Sequence, residues 1–114
     1  MLESMTSSAP RKWRTVPPAR VLAYVAAEAA KSGFIDKVIL FGSRARGNAR
    51  PFSDYDLAVE LAPETPVLKW LAFAEKLDDD APTLCQLSLV HLKPSLRPEL
   101  LDHIAKEGTL VYER

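Results

Sequence analysis

The sequence predicts an α+β domain in which helices pack on a small mixed sheet. Four short, mostly apolar segments are typical of strands, and they alternate with segments whose apolar residues recur at helical spacing. The predicted order is α-β-α-β-α-β-α-β, because a helical segment comes first and a strand-like segment comes last. A chain of 114 residues is long enough for one hydrophobic core but not for a second lobe.

The first helix and the first strand are predicted before residue 42. The helix runs from Ala19 to Lys31, because good helix formers follow a Pro-Pro pair and Gly33 can close the last turn. Its buried face should consist of the apolar residues at helical spacing, Val21, Leu22, Val25 and Ala29. The run from Val38 to Phe41 is short and apolar throughout, which predicts a central buried strand.

A turn and a short helix are predicted next, from Ser43 to Ala49, with Pro51 preventing a longer helix. The segment from Tyr55 to Leu61 then predicts the second strand. Successive side chains of a strand point to opposite faces, so Asp54 and Asp56 should share one face. The apolar residues between and after them should pack on the other face.

The remaining elements follow from the same patterns. Residues 67 to 77 predict a helix with one broad apolar face, formed by Leu68, Trp70, Leu71, Phe73 and Leu77. Alternation from Leu84 to Leu92 predicts the third strand. Pro98 can begin a helix that runs to about Lys106 and ends at Gly108, and residues 109 to 112 predict a closing strand.

Composition excludes several classes of protein. Fifteen basic residues balance fifteen acidic ones, so direct nucleic-acid binding is not expected. No apolar stretch approaches the ~20 residues of a membrane span, and residues 1 to 18 lack the apolar core of a secretory signal. The single cysteine, Cys85, forms no intrachain disulfide and is expected to be buried. We therefore expect a cytoplasmic protein with a flexible segment at residues 1–16 and one domain at residues 17–114.

The residues with the clearest chemistry are Gly42-Ser43, after the first strand, and the pair Asp54 and Asp56. Two carboxylates on one face repel each other, and a divalent cation such as Mg²⁺, bound together with substrate phosphates, would relieve that repulsion. Exposed backbone N–H groups at a strand-to-helix turn bind phosphate oxygens. Each feature alone is common in ordinary turns and solvated strands, but together they indicate a nucleotide site.

Three arginines lie beside the turn, Arg44, Arg46 and Arg50. Their charge complements a triphosphate, although a solvated loop is the alternative explanation.

The spacing carries a resemblance to a known family. Ten residues, 44 to 53, separate Gly42-Ser43 from Asp54-Tyr55-Asp56. In this the chain resembles the nucleotidyltransferase superfamily with the DNA-polymerase-β-like fold, and in particular its minimal nucleotidyltransferases (MNT), in which Gly-Ser-X-Ala-Arg-Gly and Ser-Asp-X-Asp-Leu recur.

The resemblance implies a Mg²⁺-dependent transfer of AMP from ATP to a tyrosine of a helical partner protein, of the HEPN or nucleotidyltransferase-substrate-binding type. This chain would then be the antitoxin of a toxin–antitoxin pair. Asp54 and Asp56 would hold Mg²⁺, and Gly42 and Ser43 would bind the β- and γ-phosphates. The charge of the phosphates would be neutralised by Arg46 and Arg44, and Ser53 would either contact a phosphate or cap the loop.

One family feature is missing. Relatives carry a third acidic residue on the next strand, and the matching position here is Gln86, or Ser88 if the register is shifted by two residues. Neither side chain can act as a general base at neutral pH. Asp79 or Asp80 are alternatives from the preceding loop, whereas His91 and His103 are expected to be packing or surface residues.

The alternative hypothesis is a catalytically degenerate module. Such a module would bind nucleotide or would neutralise a helical partner by binding alone. An exposed Trp13, Trp70 or Phe73 would favour it.

Overall fold

The computed structural model describes residues 16–114. They form eight elements in the predicted order: α1 (Pro18–Ser32), β1 (Ile35–Phe41), α2 (Ser43–Arg46), β2 (Tyr55–Leu61), α3 (Val67–Asp80), β3 (Leu87–His91), α4 (Pro98–Glu107) and β4 (Thr109–Glu113). The predicted fold class is therefore confirmed. The predicted flexible segment at residues 1–16, with Trp13, lies outside the described residues except for Val16, which packs against the core.

The strands form one mixed sheet in the order β3-β2-β1-β4. Strand β1 pairs antiparallel with β2 and with β4, and β2 pairs parallel with β3. A parallel pair needs a crossover, which α3 supplies between β2 and β3. The predicted central position of β1 is thus confirmed. Because β1 and β2 are antiparallel, the end of β1 at Phe41 lies beside the start of β2 at Asp56.

The two faces of the sheet have different coverings. Helices α1 and α3 bury one face, and the core there contains Val21 and Val25 of α1, Tyr55, Leu57 and Val59 of β2, and Trp70 and Leu77 of α3. Helix α4 lies on the other face, where the side chain of Ile39 meets the end of α4 at Gly108. Because Asp54 and Asp56 alternate with the buried residues of β2, they belong to the α4 side of the sheet.

The predicted apolar face of α3 is wrong in part. Trp70 and Leu77 are buried and Phe73 packs beside them, but Leu68 is 76% exposed and Leu71 is 55% exposed. Residues three and four positions apart share a helix face, whereas Leu68 lies two positions from Trp70, about 200° around the helix. The apolar surface of α3 is thus wider than the face that the sheet covers.

The third strand is also shorter than predicted, because residues 84–86 precede β3 and Leu84 is exposed. Cys85 is buried, as predicted. None of the helices within residues 16–114 has the length and apolar character that crossing a membrane requires.

Candidate active site

The turn between β1 and α2 has a backbone shape that requires glycine. Gly42 has φ 78° and ψ −158°, a combination essentially confined to glycine. Its carbonyl accepts hydrogen bonds from the N–H groups of Ala45 and Arg46, both at 3.0 Å. The first N–H groups of such a turn have no partner within it and can bind an anion.

This turn lies directly against one of the predicted carboxylates. A Cβ atom built on Gly42 would overlap Oδ2 of Asp56. The contact follows from the sheet register, in which Phe41 is the cross-strand partner of Asp56. The Gly42-Ser43 turn, predicted to bind phosphate, and the strand that carries Asp56 are therefore adjacent in the structure.

The charge on Asp56 is unfavourable in the free protein. Burial raises the pKa of the Asp56 carboxyl, the nearby charge of Asp54 raises it further, and Arg46 partly offsets both. The repulsion expected between the two aspartates is thus present, and a bound cation would reduce it.

A cleft of 370 Å³ opens at this point. Its lining from the sheet side includes four residues of the predicted site, Gly42, Ser43, Arg46 and Asp56, together with Phe41. Its other wall is α4, which contributes Leu100, His103 and Glu107. Sequence reasoning assigned no role in the site to these three residues. Their spacing of three and four positions puts them on one helix face, but which face meets the cleft depends on how α4 crosses the sheet.

Glu107 joins the two basic side chains of the cleft. Its Oε1 accepts a hydrogen bond from Nη1 of Arg46 at 3.1 Å, and its Oε2 lies 3.5 Å from Nδ1 of His103. The hydrogen bond from Arg46 holds the pKa of the Glu107 carboxyl below its usual range. An ionised Glu107 therefore links Arg46, on the sheet side of the cleft, to the α4 wall that carries His103.

Arg44 is engaged elsewhere. Its Nε donates to the carbonyl of Ser53 at 2.9 Å, its Nη2 donates to the carbonyl of Pro51 at 3.0 Å, and its guanidinium lies 4.0 Å from the ring centroid of Tyr55. The hydroxyl of Ser53 accepts from the N–H of Arg50 at 2.8 Å. Both side chains stabilise the loop before β2, so the loop-capping alternative describes Ser53. The predicted contact of Arg44 and Ser53 with phosphate stays a prediction.

The position of the missing carboxylate is on the same face of the sheet. Ser88 is the partner of Asp56 in the parallel pair of β2 and β3, and Gln86 precedes it by two residues, so the two share a face. The carbonyl of Gln86 accepts from the N–H of Tyr55 at 2.9 Å, which brings Gln86 to the level of Asp54. The preceding acidic run has at least one structural role, because Asp78 accepts from the N–H of Leu87 at 2.8 Å.

The donor set suits a magnesium ion that is completed by substrate. Within residues 16–114, no three His, Cys, Asp or Glu side chains are grouped so that they could hold a metal by themselves. Mg²⁺ commonly uses one or two carboxylates and takes its other ligands from phosphates and water. Asp54 and Asp56, whose mutual repulsion a cation would relieve, fit this arrangement.

Asp56→Asn is expected to stabilise the metal-free protein at pH 7. Because the pKa of Asp56 is raised in the folded state, its ionisation penalises folding above that pKa. As the pH falls through the folded pKa the penalty disappears, and it is absent below the unfolded value of about 3.9. Urea unfolding of both proteins in EDTA, from pH 7.5 to pH 4, measures this difference. A gain in stability that is the same at every pH would show that charge is not its cause.

Comparison with known proteins agrees with this geometry. The sequence profile of the family described as "Polymerase beta, Nucleotidyltransferase" matches residues 25–114. No curated protein matches the chain in sequence.

Several solved structures share the fold. One is a toxin–antitoxin complex with AMP-PNP, for which identity is 22%, the TM-score is 0.62, and the match covers 82% of this chain and 73% of that chain. Another is an MntA–HpeT toxin–antitoxin mutant with two aspartate-to-glutamate substitutions, at 20% identity, a TM-score of 0.63 and the same two coverages of 82% and 73%. A third is a tri-AMPylated HEPN toxin from Shewanella oneidensis in complex with its MNT antitoxin, at 20% identity and a TM-score of 0.57, covering 82% of this chain and 71% of that chain.

These likenesses concern the fold, whereas the profile match spans most of the chain and includes the turn and the aspartate pair. The resemblance to the polymerase-β-like nucleotidyltransferase superfamily, stated from the motif spacing, is therefore confirmed, and the chain belongs to the polymerase β nucleotidyltransferase family.

Proposed function

We propose that this protein transfers AMP from ATP, in the presence of Mg²⁺, to a tyrosine hydroxyl of a partner protein of the HEPN type with release of pyrophosphate, and that it acts as the antitoxin of that partner. The observation that carries the proposal is the contact between the Gly42 turn and Asp56 at one cleft. A phosphate-binding turn and a metal-binding carboxylate must be adjacent if both are to act on one polyphosphate.

Each group at the candidate site, whether it lines the cleft or, like Asp54, lies beside it, has a role that its chemistry suits. Asp54 and Asp56 would hold Mg²⁺, which when bound neutralises phosphate charge and orients the reacting groups. The backbone at Gly42 and Ser43 would bind phosphate oxygens. Arg46 lines the cleft and would add a guanidinium to the same phosphates. Positioning and electrostatic stabilisation account for most of the catalysis of phosphoryl transfer, so this set can support the reaction.

The solved structures support the choice of nucleotide and partner. One neighbour contains AMP-PNP, an ATP analogue, and another contains an AMPylated HEPN toxin beside its antitoxin. The identity of the nucleotide and the partner of the present chain are taken over from them as part of the proposal.

Two observations favour the alternative of a non-catalytic partner-binding module. The third carboxylate position is occupied by Gln86 or Ser88, and α3 exposes Val67, Leu68 and Leu71. Of the three residues whose exposure would favour this alternative, Trp70 is buried, Phe73 is half-buried and Trp13 lies outside the described residues. The exposed apolar surface of α3 is thus formed by residues other than Trp70 and Phe73.

The experiment is a transfer assay with ATP labelled at the α-phosphate, Mg²⁺ and a purified HEPN-type partner. We expect label on a tyrosine of the partner, and none when EDTA replaces Mg²⁺. If the partner is silenced without becoming labelled, the non-catalytic alternative is correct.

Gln86→Asp is expected to increase transfer by about 10²-fold if a general base is what the site lacks. The new carboxylate would lie beside Asp54 and could also bind the metal. Ser88→Asp is the matched variant, because it puts the carboxylate beside Asp56, two residues further along the same face. An increase with Ser88→Asp alone would show that the register is shifted by two residues. If the wild-type protein already transfers efficiently and neither variant increases the rate, the site does not lack a general base at this position.

A further inference from the structure

We infer that His103 binds the terminal phosphates of the nucleotide, and that Glu107 positions the imidazole for this contact. That the ligand is a nucleotide rests on the proposed function; the affinity of the site for a polyphosphate does not. Both residues belong to the α4 wall of the cleft, to which the sequence motifs assign no role.

His103 lies where a nucleotide in the cleft can reach it. His103 lines the same 370 Å³ cleft as Gly42, Ser43 and Asp56, and this volume lies within the range of about 300–1,000 Å³ typical of small-ligand sites. Its side chain is 62% exposed, so a ligand in the cleft can reach it. A polyphosphate held by the backbone of the Gly42 turn would therefore lie between that turn and α4.

Glu107 orients the ring of His103. Oε2 of Glu107 lies 3.5 Å from Nδ1 of His103, while Oε1 of the same carboxylate accepts from Arg46. A carboxylate beside one ring nitrogen can accept a hydrogen bond from it, and an imidazole that carries both protons can then donate from the other nitrogen to a phosphate oxygen. Glu107 thus directs Nε2 of His103 away from itself while holding Arg46 close by.

The charges around His103 permit an anion to bind. Arg46 offsets the single negative charge of Glu107, and a Mg²⁺ ion held by Asp54 and Asp56 would offset the charge of these two carboxylates. The other acidic side chain next to His103 on α4, Asp102, is paired with Lys106 at 3.2 Å.

The second histidine provides an internal control. His91 belongs to β3, and its ring lies 5.8 Å from the ring of Trp70. It does not line the cleft. Since the chain has only two histidines, their ring signals can be assigned by NMR with a His91→Gln variant.

The experiment is an NMR titration of the histidine ring protons with pyrophosphate in the presence of Mg²⁺, followed by one with ATP and Mg²⁺. We expect the His103 signal to shift saturably with each ligand and the His91 signal to stay in place. In calorimetry, His103→Gln should weaken pyrophosphate binding by about 10-fold, as for the loss of one charge-assisted hydrogen bond. His103→Lys should restore most of the affinity, because it returns a hydrogen-bond donor to the α4 wall of the cleft. Glu107→Gln should weaken binding while the His103 signal still shifts at higher ligand concentrations.

Three results would overturn the inference: no detectable binding of pyrophosphate, binding that leaves the His103 signal unmoved, or unchanged affinity in His103→Gln. Failure of the proposed function has a different signature. If pyrophosphate shifts His103 but no partner is ever labelled, the anion site is real and the transfer reaction is wrong.

Discussion

Replacing both Asp54 and Asp56 with asparagine is expected to weaken Mg²⁺-ATP binding by at least ~10-fold, which corresponds to about 1.4 kcal/mol, and to abolish label transfer. The substitutions keep the size of both side chains and remove two charges from the α4 face of the sheet. Mg²⁺ binds carboxylate oxygens far better than amide oxygens, so the metal, and with it the phosphates whose charge it would neutralise, would be lost. Titration calorimetry with the metal–nucleotide complex measures the effect.

The strand offers its own control. Glu60 has the same parity as Asp56 on β2 but is exposed near the far end of the strand. Glu60→Gln removes a charge from the same strand and should leave the affinity unchanged. Of the two single variants, Asp56→Asn should have the larger effect, because Asp56 lines the cleft. An unchanged affinity in the double variant would refute the assignment of the site.

Gly42→Ala is expected to destabilise the fold and to abolish nucleotide binding. The backbone at Gly42, with φ 78° and ψ −158°, costs about 1–3 kcal/mol for a residue with a side chain. The added Cβ would also displace the carboxylate of Asp56, against which Gly42 lies. Binding is therefore lost in two ways, through the shape of the turn and through the position of the metal-binding group.

Gly47→Ala separates these two contributions. Gly47 also has a positive φ, 83°, but a Cβ there would meet nothing within 4 Å. Its alanine variant should pay backbone strain only and should keep nucleotide affinity. Thermal and urea unfolding of both variants, with calorimetry on whatever remains folded, gives the comparison. Equal losses of stability and of binding in the two variants would show that contact with Asp56 is unimportant.

Much of the fold follows from local pattern in the sequence. The predicted bounds of β2, Tyr55 to Leu61, are those of the structure, because alternation and the flanking turn residues determine them locally. The same alternation put Asp54 and Asp56 on the face opposite the core. The width of the apolar face of α3 could not be predicted, since it depends on how much of the helix the sheet and α1 cover.

The candidate site was predictable only from one side. Gly42, Ser43, Arg46 and Asp56 follow from motif spacing and meet in the cleft. The contribution of α4 depends on the path of the chain after β3, which no motif specifies. For Arg44, the sequence shows a charge near the turn but not its direction, and the loop carbonyls that it binds become neighbours only on folding.

Hydrogen bonds within the loop also fix the length of the ten-residue spacer between Gly42-Ser43 and Asp54. Its start is held by the carbonyls of Gly42 and Ser43, which accept from Arg46 and Asn48, and its end is closed by the reciprocal bonds between Arg50 and Ser53. Surface loops usually tolerate insertions and deletions. Here a change of one residue that reached β2 would move Asp54 and Asp56 to the core face of the sheet and bring Tyr55 to the cleft. The length of this loop is therefore more constrained than its sequence, because the length determines which face of the sheet Asp54 and Asp56 occupy.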